Sequence, residues 1–421
     1  MSAEAANAEQ VLNNAVNGAV TALPTGGAAA STSALMSGFD SFGATVAAPY
    51  QALFSNTVNN LQAIEGTVSA NPFPFLHQII NNQQAYVQTI GTGVATAFQN
   101  FPATSANVPA NTHLAIHGAS SINPGALLQH FITDQTGYAH GITTALQKAA
   151  QDFGTGVAAL PASFQAAGQA LLAGNIQGAV SDVGKGLLNT VFTGLTGTVA
   201  ADGTTIVITP GGALGQLLPI LNIPGQTAQS LTNLISAGSI PAQISRNFAN
   251  LVSTVTDTSV TSTISLALGP NFTFFADLNT HMGLPLVLAI EALGGPVNGL
   301  SALGSSATAF ANAVQTGNAS AAAAAVLDAP AVFANGFLNG QVILPLNVDA
   351  IGLTTTLNLP LDGILVPPAI YTASTSIGVP GVVTGTPIGG IIPGLVNYLP
   401  EVLAAAIGGP PAFVIPPVPS L

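Results

Sequence analysis

Charge is almost absent from this sequence, and that scarcity limits what the chain can fold into more than any motif does. Only 3 basic and 15 acidic side chains are spread over 421 residues, 4% of the chain. An ordinary soluble protein carries roughly 25%. With 3 basic residues the chain cannot neutralise a phosphate backbone, so nucleic acid is excluded as a partner. There is no Cys, which removes disulfides, thiolate zinc sites and thiol chemistry. Disorder is excluded too, because it needs low hydrophobicity, and 48% of these residues are hydrophobic with a mean hydropathy of +0.56. What remains is a large core under a surface of Asn, Gln, Ser and Thr. Such a surface is poorly soluble alone and suits residence against a wall, a membrane or a partner.

Hydrophobic runs of membrane-spanning length look interrupted. Leu284–Val297 holds Pro285 and Glu291, Ala321–Leu338 holds Asp328 and Pro330, and Ile391–Ile407 is broken by Pro393, Gly394, Pro400 and Glu401. We therefore expect no transmembrane helix. Met1–Gln10 lacks a basic start and carries Glu4 and Glu9, so no signal peptide is read there.

The expected fold class is α+β, with a mainly helical N-terminal half and a mixed helix and strand C-terminal half. Helices are expected over Ala5–Ala22, Ala47–Val68, Pro74–Phe101 and Pro124–Leu160, with Ser163–Leu195 continuing in the same style. The character changes near residue 196, where Asp202-Gly203 between β-prone runs signals a hairpin. Short helices follow over Leu214–Leu221, Thr227–Ala237 and Pro241–Val255, then over Leu284–Leu293 and Leu303–Val326. Strands are expected at Val342–Val348, Gly352–Leu359 and Ala369–Ile377, and a last helix at Pro393–Ile407. The Phe-rich segment Asn271–Asp277 reads as a core strand or a helix entry. The chain divides into a start and linker (1–33), a helical region (34–196), a mixed domain (197–409) and a Pro-rich tail (410–421).

Chemistry-bearing motifs are thin. His113 and His117 stand four apart, as do His130 and Asp134, so each pair would share a helix face. Two His and a carboxylate are the minimum for a metal site, but Leu114 stands where a His-Glu-x-x-His pattern needs Glu. Polar surface histidines are the better reading, and no metal or cofactor is assigned. The serine-hydrolase elbow Gly-x-Ser-x-Gly is missing. Its nearest strings are Gly304-Ser305-Ser306-Ala307 and Gly238-Ser239-Ile240, and a Ser acting with His281 or His140 has no support. Val183–Gly186 places Lys185 among glycines without the phosphate-loop spacing. The acids are scattered singly, so no paired-carboxylate site is expected and no catalytic residue is assigned.

Several strings nevertheless resemble one family. Ala302–Gln341 contains Ala-Leu-Gly-Ser-Ser-Ala-Thr-Ala-Phe-Ala-Asn-Ala-Val and then Val-Leu-Asp-Ala-Pro-Ala-Val-Phe-Ala-Asn-Gly. Leu359–Pro368, Gly390–Pro400 and Asn71–Gln83 are of the same kind. These stretches resemble the extension that follows the N-terminal domain of mycobacterial PE-family proteins. Ser2–Gln10 looks like the very end of a PE domain, where Glu4 would close a Tyr-x-x-x-Glu secretion signal whose Tyr falls before Met1. The resemblance implies a secreted or cell-envelope protein exported by type VII secretion, touching envelope lipids or a PPE-type partner. The expected role is non-enzymatic. The alternatives are a mycomembrane channel or lipid-binding module, and an esterase without the standard elbow.

Overall fold

In the computed structural model, the described residues are 44–99, 124–233, 235, 239–268, 274–350, 353–375 and 380–412. The expected helix over Ala5–Ala22, the whole linker and most of the Pro-rich tail lie outside them.

Four helices come first: α1 (Ala44–Ala70), α2 (Pro74–Gln99), α3 (Pro124–Leu172) and α4 (Ile176–Asn189). α3 runs through Pro161, and the helical run ends at Gly174, whose φ of +75° suits the absence of a Cβ. Asn175 then caps α4, its side chain accepting from the Gly178 N–H at 2.8 Å. The expected continuation to Leu195 is thus two helices and a strand start.

Strand structure begins with β1 (Leu195–Val199) and β2 (Thr205–Pro210). Their turn is held by Asp202, whose carboxylate accepts from the Thr205 hydroxyl at 2.6 Å and from the Thr205 and Thr204 N–H groups at 2.9 and 3.0 Å. Those bonds, the Thr205 hydroxyl first, hold its pKa down to about 2. Three helices follow, α5 (Gly212–Leu221), α6 (Ile223–Thr232) and α7 (Ile240–Thr256), then strands β3 (Val260–Leu268) and β4 (Phe274–Met282). Phe274–Asp277 of the Phe-rich segment therefore lie in a strand, and Asn271–Thr273 fall outside the described residues. Next come α8 (Leu284–Gln315), α9 (Ala319–Asn339), β5 (Gln341–Ala350), β6 (Leu353–Asp362), β7 (Ala369–Thr375) and β8 (Pro380–Ile388). The chain then forms a single turn α10 (Ile391–Pro393), a π-helical turn (Gly394–Tyr398) and α11 (Leu399–Ala406).

The eight strands close into a barrel in the order β1-β2-β3-β4-β8-β7-β6-β5. Each successive pair forms an antiparallel hairpin, and the two four-stranded meanders meet along parallel seams, β4 with β8 and β1 with β5. The strand pairing consequently sets the helical connections before β1, β3 and β5 and after β2, β4 and β8 at one end of the barrel. An eight-stranded barrel is just wide enough to be filled by side chains. Here Ile206, Ile208, Leu278, Val348, Leu357, Leu359, Tyr371 and Val383 are buried in a single cluster. Alternate positions face out, and Thr196, Thr198, Thr209, Asn279, Asn347 and Thr372 among them are polar and exposed. This period-two alternation of apolar and Thr or Asn residues is what builds the wall.

One expectation about the long apolar helices changes. The expected helices Leu284–Leu293 and Leu303–Val326 are one continuous α8 through Gly294-Gly295-Pro296, then a break at Gly317, whose φ is +69°, then α9. By length and composition alone both α8 and α9 are long and apolar enough to cross a membrane, with 33% and 11% of their apolar windows buried.

Candidate functional site

The helix-bearing end of the barrel is closed by α8, which leaves β4 with no room to spare. Gly283 donates to the Ser259 carbonyl at 2.8 Å, and a Cβ there would collide with the Asp257 carbonyl. Along α8 the buried positions Leu284, Val287, Glu291, Gly294 and Asn298 step by three and four residues, the spacing of one helix face. This stripe packs on β5, β6 and β8, and it carries a carboxylic acid in its middle.

Glu291 is 1% exposed and so is Asp362, at the end of β6. Glu291 Oε1 accepts from the Gly389 N–H at 3.4 Å, just beyond β8. Its Oε2 lies against Gly394, where a Cβ would overlap it, and has no hydrogen-bond partner. Asp362 Oδ1 accepts from the Gln341 side chain at 2.7 Å, across the β5–β6 ladder, and its Oδ2 is also unpartnered. Asn298 ties the helix to the strand, its amide donating to the Gly294 carbonyl at 2.8 Å and to the Leu361 carbonyl at 2.7 Å. Tyr398 from the π-helical turn bonds Thr386, whose hydroxyl accepts from the Met282 N–H at 3.0 Å.

The electrostatics follow from the geometry. Lys148, Lys185 and Arg246 are the basic residues of the chain, and they sit on α3, α4 and α7. Burial pushes Glu291 up to about 8, with the Gly389 N–H opposing and the nearby Asp362 charge adding. Burial likewise pushes Asp362 up to about 6 against the Gln341 amide. Both acids are too enclosed to touch a substrate, so the pair can hold protons and packing but cannot act on a bound molecule. The acids are scattered singly along the sequence, yet Glu291 feels the charge of Asp362 in the fold. The fold brings together two residues far apart in the chain, and the apolar stripe around Glu291 is the sequence signal that could have found the first of them.

A second pair is exposed. His281 Nε2 and Asp257 Oδ2 lie 3.0 Å apart, with side chains 61% and 31% accessible. Burial would raise Asp257, but the bonds from His281 and from Ser259 outweigh it and hold it below the usual value. No serine hydroxyl meets His281 among the described residues, so a triad is not assembled. Ser239 is buried and caps α7 by accepting from the Ala242 N–H at 3.2 Å, while Ser305 lies mid-helix on α8. His281→Ala is expected to cost under about 1 kcal/mol in a thermal melt at pH 7, as exposed ion pairs do. It should also move the Asp257 titration upward, which carbon NMR of the carboxyl would read.

His113 and His117 lie outside the described residues. His130 and Asp134 fall on α3, and His140 and Lys185 are exposed on α3 and α4. Among the described residues no group of three or more His, Cys, Asp or Glu side chains is placed to hold a metal.

Helix surfaces complete the picture. α2 docks by Asn82, which donates to the Ile407 carbonyl at 2.9 Å, and by Tyr86, whose hydroxyl accepts from Asn247 at 2.9 Å. Its other face exposes Leu76, Ile80, Val87 and Ile90 at helical spacing.

No family model matches the chain, and no solved structure matches it. Two curated proteins of Mycobacterium tuberculosis (strain ATCC 25618 / H37Rv) do. The PE-PGRS family protein PE_PGRS62 is 38% identical over 394 residues, covering 86% of this chain and 77% of that protein. The PE-PGRS family protein PE_PGRS30 is 36% identical over 327 residues, 73% of this chain but 29% of the longer relative. With that identity across most of both chains in the first case, the protein belongs to the PE-PGRS branch of the mycobacterial PE family.

Proposed function

We propose that the protein is a non-enzymatic, exported component of the mycobacterial cell envelope, resting an uncharged helical surface against envelope lipid. One observation carries this reading. α2, α8 and α9 contain only Glu291 and Asp328 as charged residues, yet they expose Ile80, Val87, Leu300, Phe310, Val314 and Val326 to the surroundings. Large apolar side chains exposed along nearly uncharged helices suit a membrane or partner contact. Type VII export belongs to the proposal, on the family relationship.

The barrel weighs against a solute channel. A membrane-spanning channel barrel is apolar outside and polar within; this one has the opposite alternation. The buried acids and the lone His281–Asp257 pair likewise give no support to an esterase.

Flotation of purified protein with vesicles of extracted, low-charge envelope glycolipid tests the contact. The wild-type chain is expected to float with the vesicles, and Ile80→Asp combined with Val87→Asp to lose at least half of that binding while keeping its melting temperature. A wild-type chain that stays in the aqueous layer, together with native protein found only in the cytosolic fraction, would sink the reading.

A further inference from the structure

Glu291 and Asp362 form a junction that no cationic group among the described residues offsets. Four parts of the molecule meet there: α8 through Glu291 and Gly294, β6 through Asp362, the end of β8 through the following Gly389, and the terminal segment through Gly394 and Tyr398. Each carboxyl keeps one oxygen buried and without a hydrogen-bond partner. An ionised oxygen in such a place is costly, while a protonated one is tolerated. We propose that this pair is a proton-operated latch, which holds α8 and the terminal segment onto the barrel while both carboxyls are protonated and loosens them as the acids ionise.

The groups that act on the latch are few. Glu291 feels Asp362 from β6 and the Gly389 N–H from β8, and it acts in turn on the Tyr398 phenol from the terminal segment. Asp362 is opposed by the Gln341 amide from β5. α4 and α7, which also touch α8, carry Asp182, Lys185 and Arg246, Asp257 follows α7, and Glu401 lies on α11 of the terminal segment. None of these is among the groups that shift Glu291 or Asp362. Asp328 on α9 lies near the α1 end and acts on Tyr50.

The direction of the pH effect is fixed by the raised native values. Between the ordinary Glu value of 4.5 and the native value of about 8, the folded chain holds a proton that the unfolded chain has lost. Stability is therefore full below that window and falls as pH rises through it, by up to about tenfold in the folded-to-unfolded ratio per pH unit for one carboxyl. Asp362 adds to the fall over a lower window that ends near its native value of about 6.

The test follows melting temperature and amide exchange from pH 4.5 to 9 in the wild-type chain and in Glu291→Gln combined with Asp362→Asn. The wild-type melting temperature should drop steadily above pH 5, with amide protection lost first at Gly389 and along Ala292–Asn298. The double variant should hold a flat profile over the same range. A flat wild-type profile, or an unchanged slope in the double variant, overturns the latch. If the double variant fails to fold, infrared spectra of the wild-type chain decide. A protonated-carboxyl band persisting at pH 7 supports the latch, and its absence at pH 6 overturns it.

Discussion

Gly294→Ala is expected to destabilise the protein by about 3 kcal/mol, the upper part of the range for overpacked sites. Local propensity predicts the reverse, since replacing Gly by Ala inside a helix gains about 1 kcal/mol. Tertiary contact decides the sign. A Cβ at Gly294 would collide with the Asp362 carbonyl and sit 2.6 Å from the Asp362 nitrogen, which are backbone atoms rather than the end of a flexible side chain. Neither partner is free to withdraw. Asn298 clamps the Gly294 and Leu361 carbonyls together, and Asp362 is locked in register opposite Gln341. The natural control is Gly304 on the same helix, where a new Cβ meets nothing within 4 Å. Gly304→Ala should raise stability by about 0.4–1 kcal/mol. Thermal melts of the two variants at pH 5 read the difference, expected to be roughly 4 °C at this chain size. Equal melting temperatures would mean that α8 does not seat on β6 as the structure has it.

The same contact explains what could be read from the sequence and what could not. The helices α1, α2 and α3 are visible because their apolar residues repeat at helical steps, and β5, β6 and β7 because β-branched and Leu residues alternate with Thr and Asn. Both signals are local. Gly294-Gly295-Pro296 reads as a break, because nothing local shows that the two glycines exist to let β6 and the Phe337 carbonyl approach; the Gly295 Cβ position is 3.1 Å from the latter. β3 opens Val-Thr-Ser-Thr and β8 contains Pro380, Gly381, Gly385 and Pro387, a composition that resembles a loop. These strands are stabilised by partners far along the chain, β8 by the parallel register that sets Leu278 beside Val383. Closure of the barrel is a consequence of those seams and has no signature in any short window. The acid pair is hidden for the same reason. Glu291 stands in an apolar stripe, where its burial is legible, but Asp362 stands before Gly363 and imitates an ordinary turn.

Tyr371→Ala is expected to cost about 3–5 kcal/mol, the range for truncating a large buried ring. Tyr371 is 5% exposed inside the barrel, directly across the ladder from Val383, which is 1% exposed. Leu357 and Ala373, another buried cross-strand pair, line the same interior. The ring closes off a space bounded by hydrogen-bonded backbone on every side, so the wall cannot collapse into the void as a helix can slide into one. Most of the lost contact should therefore appear as lost stability. Thr209, which faces outward on β2, is the contrast: Thr209→Ala should change stability by no more than about 0.5 kcal/mol. Urea unfolding of both variants reads the two effects on one scale. The comparison also separates a packed barrel from a pore. A water-filled lumen would tolerate the loss of one ring, and a cost below about 1 kcal/mol for Tyr371→Ala would show that this interior is not the filled core described. A cost in the expected range, with the threonine wall indifferent to substitution, makes the barrel a rigid plug whose outer surface and helical cap are the parts left to meet other molecules.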